Sequence, residues 1–161
     1  FAKRLLQESY EDFFSKLEAE SFGEGPALER LRRALLVFGR HVRQNRGPLM
    51  WILQDAMRGD RVAIEHAKAN IPRHLGVLGR LIEECRAAGV LREVKLPTLM
   101  PFLLGGVNLP SLILTLLERT GAKKPFGMSV SDLEQVWLSD EGLGERIDLL
   151  LGALAPKKGT R

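Results

Sequence analysis

Three histidines are the side chains of this sequence that could carry metal or acid–base chemistry: His41, His66 and His74. A helical zinc site of the HExxH kind places two histidines four residues apart, because that spacing puts both on one helix face. No two of these histidines have that spacing, so the sequence predicts no metal site. Histidines on the surface or at the edge of a core are the simpler interpretation.

Paired acidic residues give no stronger indication of catalysis. Glu83 and Glu84 are adjacent along a predicted helix, as are Asp140 and Glu141. Adjacent helical residues do not face each other, so neither pair forms an acid–base couple. The sequence also has no phosphate-binding loop, no GxSxG elbow and no dinucleotide fingerprint. We therefore predict no catalytic residue, no cofactor and no enzymatic activity.

The chain has one cysteine, Cys85, and cannot form an internal disulfide. Cys85 falls on an apolar helical face, which favours a small core residue over a nucleophile. A chain without disulfides fits a reducing compartment, and we predict a cytoplasmic protein.

The elements that would position any site come from 161 residues, the size of one domain. Hydrophobic residues make up 45% of the chain and charged residues 27%, with a net charge of +4. These values are typical of a globular domain with a mixed, slightly basic surface, and they favour that surface over a nucleic-acid patch. We assign residues 1–156 to one domain and residues 157–161 to a disordered basic tail.

Apolar residues recur at three- and four-residue steps through most of the chain, without the alternation typical of strands. The sequence therefore predicts an all-α bundle of seven or eight helices, the first at residues 1–20. Asp60 is predicted to cap a later helix and Pro72 to kink or split it. Ser131 with Glu134 is predicted to cap a short helix near the C-terminus.

Residues 96–117 form a segment of twenty-two residues without a charge. Its length would span a membrane, but Pro101 and Pro110 would free backbone carbonyls that lipid cannot satisfy. A helix that is apolar on every side is otherwise enclosed by protein, and a second subunit can cover what its own domain does not. We predict a homodimer with a four-helix interface, built from this helix and the last one, and no membrane association. The predicted interface residues are Gly105, Gly106, Leu109, Leu112, Ile113, Leu116, Ile147, Leu150, Leu151 and Leu154.

Three stretches resemble the C-terminal effector-binding and dimerisation domain of TetR family transcriptional regulators. They are LGRLIEECRAAGVLREV (78–94), the following apolar helix PTLMPFLLGGV (97–107) and the ending ERIDLLLGALAP (145–156). The resemblance implies a ligand-responsive regulator whose DNA is bound by an N-terminal helix-turn-helix head that these residues do not show. Residues 1–20 would then be the helix that connects head and body. The prolines at 101 and 110 depart from the family's dimer helix.

Large apolar side chains on several predicted helices could line a cavity for a small, mostly apolar effector, with a few polar groups to orient it. The predicted cavity residues are Phe14, Phe38, His41, Trp51, Gln54, Met57, His74, Leu78, Met100 and Leu103. Gln54, His41 and His74 are the predicted polar contacts, and Trp51 is the preferred wall residue. The alternative for each apolar member is that it only fills the core.

Two other functions remain open from the sequence. The chain could be a stand-alone helical interaction module whose apolar helix docks a different protein. It could also be a peripheral membrane protein that uses residues 96–117.

Overall fold

The computed structural model describes residues 2–158, which form seven α-helices and no strand. Phe1 and residues 159–161 lie outside the described part, so the disordered tail predicted at 157–161 is described only at Lys157 and Lys158. The all-α prediction is confirmed. The helices are α1 (Ala2–Ser21), α2 (Ala27–Gln44), α3 (Arg46–Met57), α4 (Arg61–Ala87), α5 (Leu96–Thr120), α6 (Val130–Leu138) and α7 (Asp140–Ala153), with a short 3-10 turn at Pro125–Gly127.

Helix boundaries follow local chemistry, with two departures from the sequence prediction. Asp60 caps α4 as predicted, and its carboxylate accepts a hydrogen bond from the Ala63 backbone N–H at 2.8 Å. Pro72 lies inside α4, which runs through it without the split that was one of the two predicted outcomes. The cap of α6 is Ser129, whose hydroxyl accepts from the Asp132 N–H at 3.0 Å, because Ser131 already lies within the first turn.

Helix α2 lies at the centre of the bundle, where its apolar face packs against α1, α4, α5 and α7. Leu31, Leu35 and Ala34 of this face are fully buried. Cys85 of α4 is also fully buried, in agreement with its predicted place in the core, and burial raises the pKa of its thiol to about 11. A thiol in this environment stays protonated at neutral pH and is not a nucleophile.

Gly39 allows α2 to approach α5 and α7 closely. A Cβ atom at Gly39 would lie 2.6 Å from Leu143 Cδ1 and 3.1 Å from Val107 Cγ1. Gly39→Ala is therefore expected to lower the free energy of unfolding by about 2 kcal/mol through overpacking, measured by urea denaturation. The control is Gly76→Ala on α4, where the added methyl group has open space and higher helix propensity should give a gain of about 0.5–1 kcal/mol. Equal effects of the two substitutions would contradict this account.

Helix α5 continues through both of its internal prolines, Pro101 and Pro110. Pro110 has no N–H, so the carbonyl oxygen of Gly106 loses its partner within the helix. Arg146 of α7 replaces that partner: its Nε donates to Gly106 O at 3.2 Å and its Nη2 to Val107 O at 3.1 Å. Its Nη1 donates to the carbonyl oxygen of Trp137 at the end of α6. One guanidinium therefore joins α5, α6 and α7.

Helix α3 is held differently, because none of its residues is buried. At its start, Arg46 forms a two-pronged ion pair with Glu118 of α5, with nitrogen–oxygen distances of 2.9 and 3.0 Å. The same guanidinium donates to the Thr115 hydroxyl at 3.2 Å. These contacts fix the N-terminal end of α3, while the rest of the helix lies on α4 through half-buried apolar side chains.

Candidate functional site

A cavity of about 270 Å³ lies among the first four helices. Its walls are mainly apolar, and all three histidines of the chain line it. Because these histidines come from two helices, only the fold brings them together. The lining residues are Tyr10 and Phe13 of α1, Phe38, His41 and Val42 of α2, Leu49, Ile52, Leu53 and Ala56 of α3, and His66, Ala67, Asn70, Ile71 and His74 of α4.

Aromatic rings form the inner wall of this cavity. Phe13 stacks on the His41 imidazole, with ring centroids 4.3 Å apart and an interplanar angle of 16°. Phe38 meets Phe13 edge to face at 5.0 Å and His74 in the same manner at 5.2 Å. Edge-to-face and stacked pairs add stability beyond the area they bury, so this wall is rigid.

The Tyr10 hydroxyl orients His74. It donates its hydrogen to the Asn70 backbone carbonyl at 2.7 Å and lies 3.0 Å from His74 Nδ1. Since its only hydrogen is taken, the contact with His74 requires Nδ1 to carry a proton and donate. His74 is then the Nδ1–H tautomer, and its Nε2 is a free acceptor with no hydrogen-bond partner among residues 2–158.

Asn45 determines which ring nitrogen of His41 carries the proton. The Asn45 side-chain NH2 donates to the His41 backbone carbonyl at 2.9 Å, which fixes its nitrogen and oxygen positions. The same nitrogen lies 3.3 Å from His41 Nδ1, which must therefore accept. His41 is the Nε2–H tautomer, and that N–H is a donor without a partner in the described part of the chain.

The cavity carries no formal charge at neutral pH. Burial lowers the pKa of His41 to about 4, helped by nearby His74, and burial lowers the pKa of His74 to about 4. Burial also lowers the pKa of His66 and raises that of Tyr10 to about 12. Arg73 lies over the Tyr10 ring, 5.2 Å from its centroid, and its guanidinium is engaged by Glu11 at 2.7 and 2.9 Å.

Three of the ten predicted cavity residues line this cavity: Phe38, His41 and His74. Sequence reasoning missed Tyr10, Phe13 and Asn70. Tyr10 and Phe13 share the apolar stripe of the first helix, and that stripe could have indicated them. Asn70 carries no such signal, because its role depends on Tyr10, sixty residues earlier.

The other predicted cavity residues lie elsewhere, and the prediction is corrected for each. Trp51 and Met57 are 64% and 81% exposed on the outer face of α3, together with exposed Gln54. Trp51 instead borders a separate surface pocket formed by residues of α1, α3 and Arg119. Leu78 and Leu103 are fully buried core residues, and Phe14 and Met100 pack at the core's edge.

One face of α5 leaves apolar side chains exposed to solvent. Phe102, Leu109, Ile113 and Leu116 are all exposed, Leu109 and Leu116 by about half. With Gly106 they follow one another at steps of four, three, four and three residues, the spacing of a coiled-coil seam. We call these five residues the α5 seam. Gly105 beside it faces open space.

The predicted dimer residues divide between this face and the protein's own core. Gly105, Leu109, Ile113 and Leu116 lie on the accessible face, and Leu112 is half-buried against the core. Gly106 packs against Leu150 of α7 within the same chain. The prediction is wrong for Ile147, Leu151 and Leu154, which are buried in the core. The exposed leucine of α7 is Leu149.

An open apolar groove of about 590 Å³ runs along the seam. Helix α5 supplies Leu109 and Ile113 to its wall, and the segment after α5 supplies Phe126 and Trp137. Phe126 is 80% exposed and held at a φ of 56°, in the left-handed region that non-glycine residues rarely adopt. By length and composition alone, α5 could also cross a membrane, a property it shares with core helices of other bundles.

Among residues 2–158, no group of three histidine, cysteine or acidic side chains is placed to hold a metal ion. Comparison of the chain with protein-family models, curated proteins and solved structures finds no match.

Proposed function

We propose that this chain is the effector-binding and dimerisation domain of a ligand-responsive transcriptional regulator of the TetR type. The observation that carries this proposal is the cavity wall on α1, where Tyr10 and Phe13 face the space that a guest would fill. In such a regulator α1 connects the body to a helix-turn-helix head encoded outside these 161 residues. A guest in the cavity would therefore bear directly on the connecting helix.

Signalling in this arrangement requires a guest that binds two positions of α1 unequally. A guest in contact with Tyr10 and Phe13 can bind one position of α1 more tightly than the other, because both residues belong to that helix. A coupling of about 1–3 kcal/mol is typical of allosteric proteins and changes DNA affinity by roughly 5- to 150-fold. Two heads that read one face of a duplex must keep a fixed spacing, so a modest tilt of α1 in each subunit is sufficient.

The α5 seam supports a homodimer as the second part of the proposal. Its apolar residues have the spacing with which helices interdigitate, and a two-fold axis would place each seam on its copy. Gly105 carries no side chain and faces open space, so a second α5 helix can approach closely at that point. Half-buried Leu150 of α7 packs against Gly106 at the edge of this surface.

A seam substitution tests the dimer. Leu109→Arg places a charge in both halves of the proposed interface and is expected to weaken self-association at least about tenfold, measured by sedimentation equilibrium. Val62→Arg on α4 is the matched control, since Val62 is also an exposed apolar residue but lies outside the seam. A parent protein that is monomeric, or a control variant that dissociates as far as Leu109→Arg, would contradict the proposed interface.

The regulator assignment has its own test in the coding sequence upstream of Phe1. A helix-turn-helix segment encoded there in the same reading frame supports the proposal. A stop codon or an unrelated domain in that position overturns the link to DNA, even if the cavity and the dimer are retained.

A stand-alone interaction module is the second candidate function, and the groove beside the seam favours it. Phe126 packs edge to face against Trp137, with ring centroids 6.0 Å apart. Its exposed ring is available for contact with a partner protein. Under this alternative the purified chain is a monomer, and both Leu109→Arg and Phe126→Ala weaken binding to that partner. A dimer that buries the seam rules it out.

A further inference from the structure

We propose that the cavity binds a small uncharged aromatic alcohol, with its ring against Phe13 and Phe38 and its hydroxyl group between His41 and His74. This inference rests on the proposed ligand-binding function and specifies the chemical class of its effector. Three features of the cavity lead to it: the donor and acceptor character of the Nε2 atoms of His41 and His74, the volume of the cavity and its lack of formal charge.

The two histidines present complementary hydrogen-bonding atoms. His74 Nε2 is an acceptor because Nδ1 carries its proton toward Tyr10, and His41 Nε2–H is a donor because Nδ1 accepts from Asn45. Both imidazole rings line the cavity beside Tyr10, with centroids 6.5 Å (His41) and 5.9 Å (His74) from the Tyr10 ring centroid. A hydroxyl group donates one hydrogen bond and accepts another, and it satisfies both atoms at once.

The shape of the cavity favours a ring. Phe13 and Phe38 meet edge to face in the cavity wall, and a guest ring can pack against them by the same geometry. A volume of about 270 Å³ is below the usual range for drug-sized ligands but above the roughly 150 Å³ that accommodates benzene. One substituted ring fits this space.

Charged guests lack a partner in the cavity. A carboxylate would lose its hydration without gaining a cation, because both histidines are neutral and Arg73 is paired with Glu11. No carboxylate lines the cavity either, so an ammonium guest is disfavoured for the same reason. A separate polar cleft also borders His41, and its charged residues are Asp12, Lys16, Glu20 and Arg40.

A route for the guest exists between α3 and α4. Leu53 and Ile71 line the cavity and are both nearly half exposed, so they lie at its mouth. Helix α3 has no fully buried residue, so its exposed side chains at this mouth can be displaced at low cost.

Three probes of similar size test the proposal by calorimetry on the purified protein at neutral pH: phenol, toluene and benzoate. Phenol is expected to bind about tenfold more tightly than toluene, because each hydrogen bond contributes roughly a 3- to 10-fold gain. Benzoate is expected to bind more weakly than toluene. His74→Phe keeps an aromatic ring but removes the acceptor, so it should abolish the preference for phenol while retaining toluene binding.

Two further variants complete the design. Tyr10→Phe removes the oxygen that holds the His74 tautomer, and a smaller loss of phenol affinity, about threefold, is expected because Tyr10 acts through His74. Trp51→Ala is the control, since Trp51 lies outside the cavity and all three affinities should stay unchanged.

The outcomes separate the two proposals. Equal binding of phenol and toluene by the parent protein overturns the aromatic-alcohol inference but leaves a ligand-binding cavity in place. Tightest binding of benzoate overturns it in favour of an acidic guest. Failure of all three probes to bind overturns both this inference and the proposed effector site. If His74→Phe does not fold, the phenol-to-toluene ratio of the parent protein decides the question.

Discussion

Acidification from pH 7 to pH 4 is expected to remove about 5 kcal/mol from the free energy of unfolding, because two partly buried, desolvated histidines must stay neutral in the folded protein. The pKa values of His41 and His74 are about 4 in the fold, against an ordinary value of 6.5. Between these values the unfolded chain binds more protons than the folded one. Stability is therefore fully present above pH 6.5 and falls as the pH drops toward 4.

Urea denaturation at half-unit pH steps measures this loss, which is a large fraction of the 5–15 kcal/mol stability typical of a domain. The control is the double variant His41→Phe with His74→Phe, in which the slope between pH 6.5 and 4 should flatten. Glu11 contributes in a lower window, because hydrogen bonds from Arg73 lower its pKa to about 2 and its share is lost only below about pH 4.5. A parent profile that is flat from pH 6.5 to 4 would show that the two imidazoles protonate freely in the fold.

Replacement of Arg146 by methionine is expected to cost about 3 kcal/mol of stability. The substitution removes the hydrogen bonds to the carbonyl oxygens of Gly106, Val107 and Trp137. Gly106 O then has no partner, because Pro110 cannot supply one, and an unsatisfied buried carbonyl costs roughly 1–3 kcal/mol. Removal of a buried cation offsets part of this, since burial also lowers the pKa of Arg146.

The matched control is Arg61→Met, which removes an exposed arginine at the start of α4 and should change stability by less than about 0.5 kcal/mol. Thermal and urea unfolding of both variants provide the measurement. A combined Arg146→Met and Pro110→Ala variant sharpens it, because residue 110 regains the N–H that Gly106 needs and part of the loss should be recovered. If the two single variants are equally stable, Arg146 does not support the α5 backbone.

The sequence predicts the helices and two of the five polar residues that line the cavity, His41 and His74. Periodicity and the Asp60 cap predict elements whose formation depends mainly on neighbouring residues. Trp51 was misplaced because α3 carries apolar residues on both faces, and periodicity then cannot say which face is inside.

Long-range effects explain the remaining differences. Helix α7 carries three consecutive leucines, Leu149, Leu150 and Leu151, which together cover more than half of its circumference. Packing against α5 therefore decides which side of α7 faces the core. The partner of Gly106 O lies forty residues away, at Arg146. Pro110 signals in the sequence that a carbonyl is freed, but only the fold identifies the donor.

The sparse anchoring of α3 has a consequence for local opening of the domain. A helix that has no fully buried residue detaches at a lower free-energy cost than the whole domain unfolds, so its amide protons are expected to exchange with solvent through local opening. Detachment beyond Arg46 uncovers the cavity while the ion pair with Glu118 keeps the helix tethered for rapid return. For the proposed guest, the frequency of this opening would set the residence time, and exchange would not require the bundle to unfold.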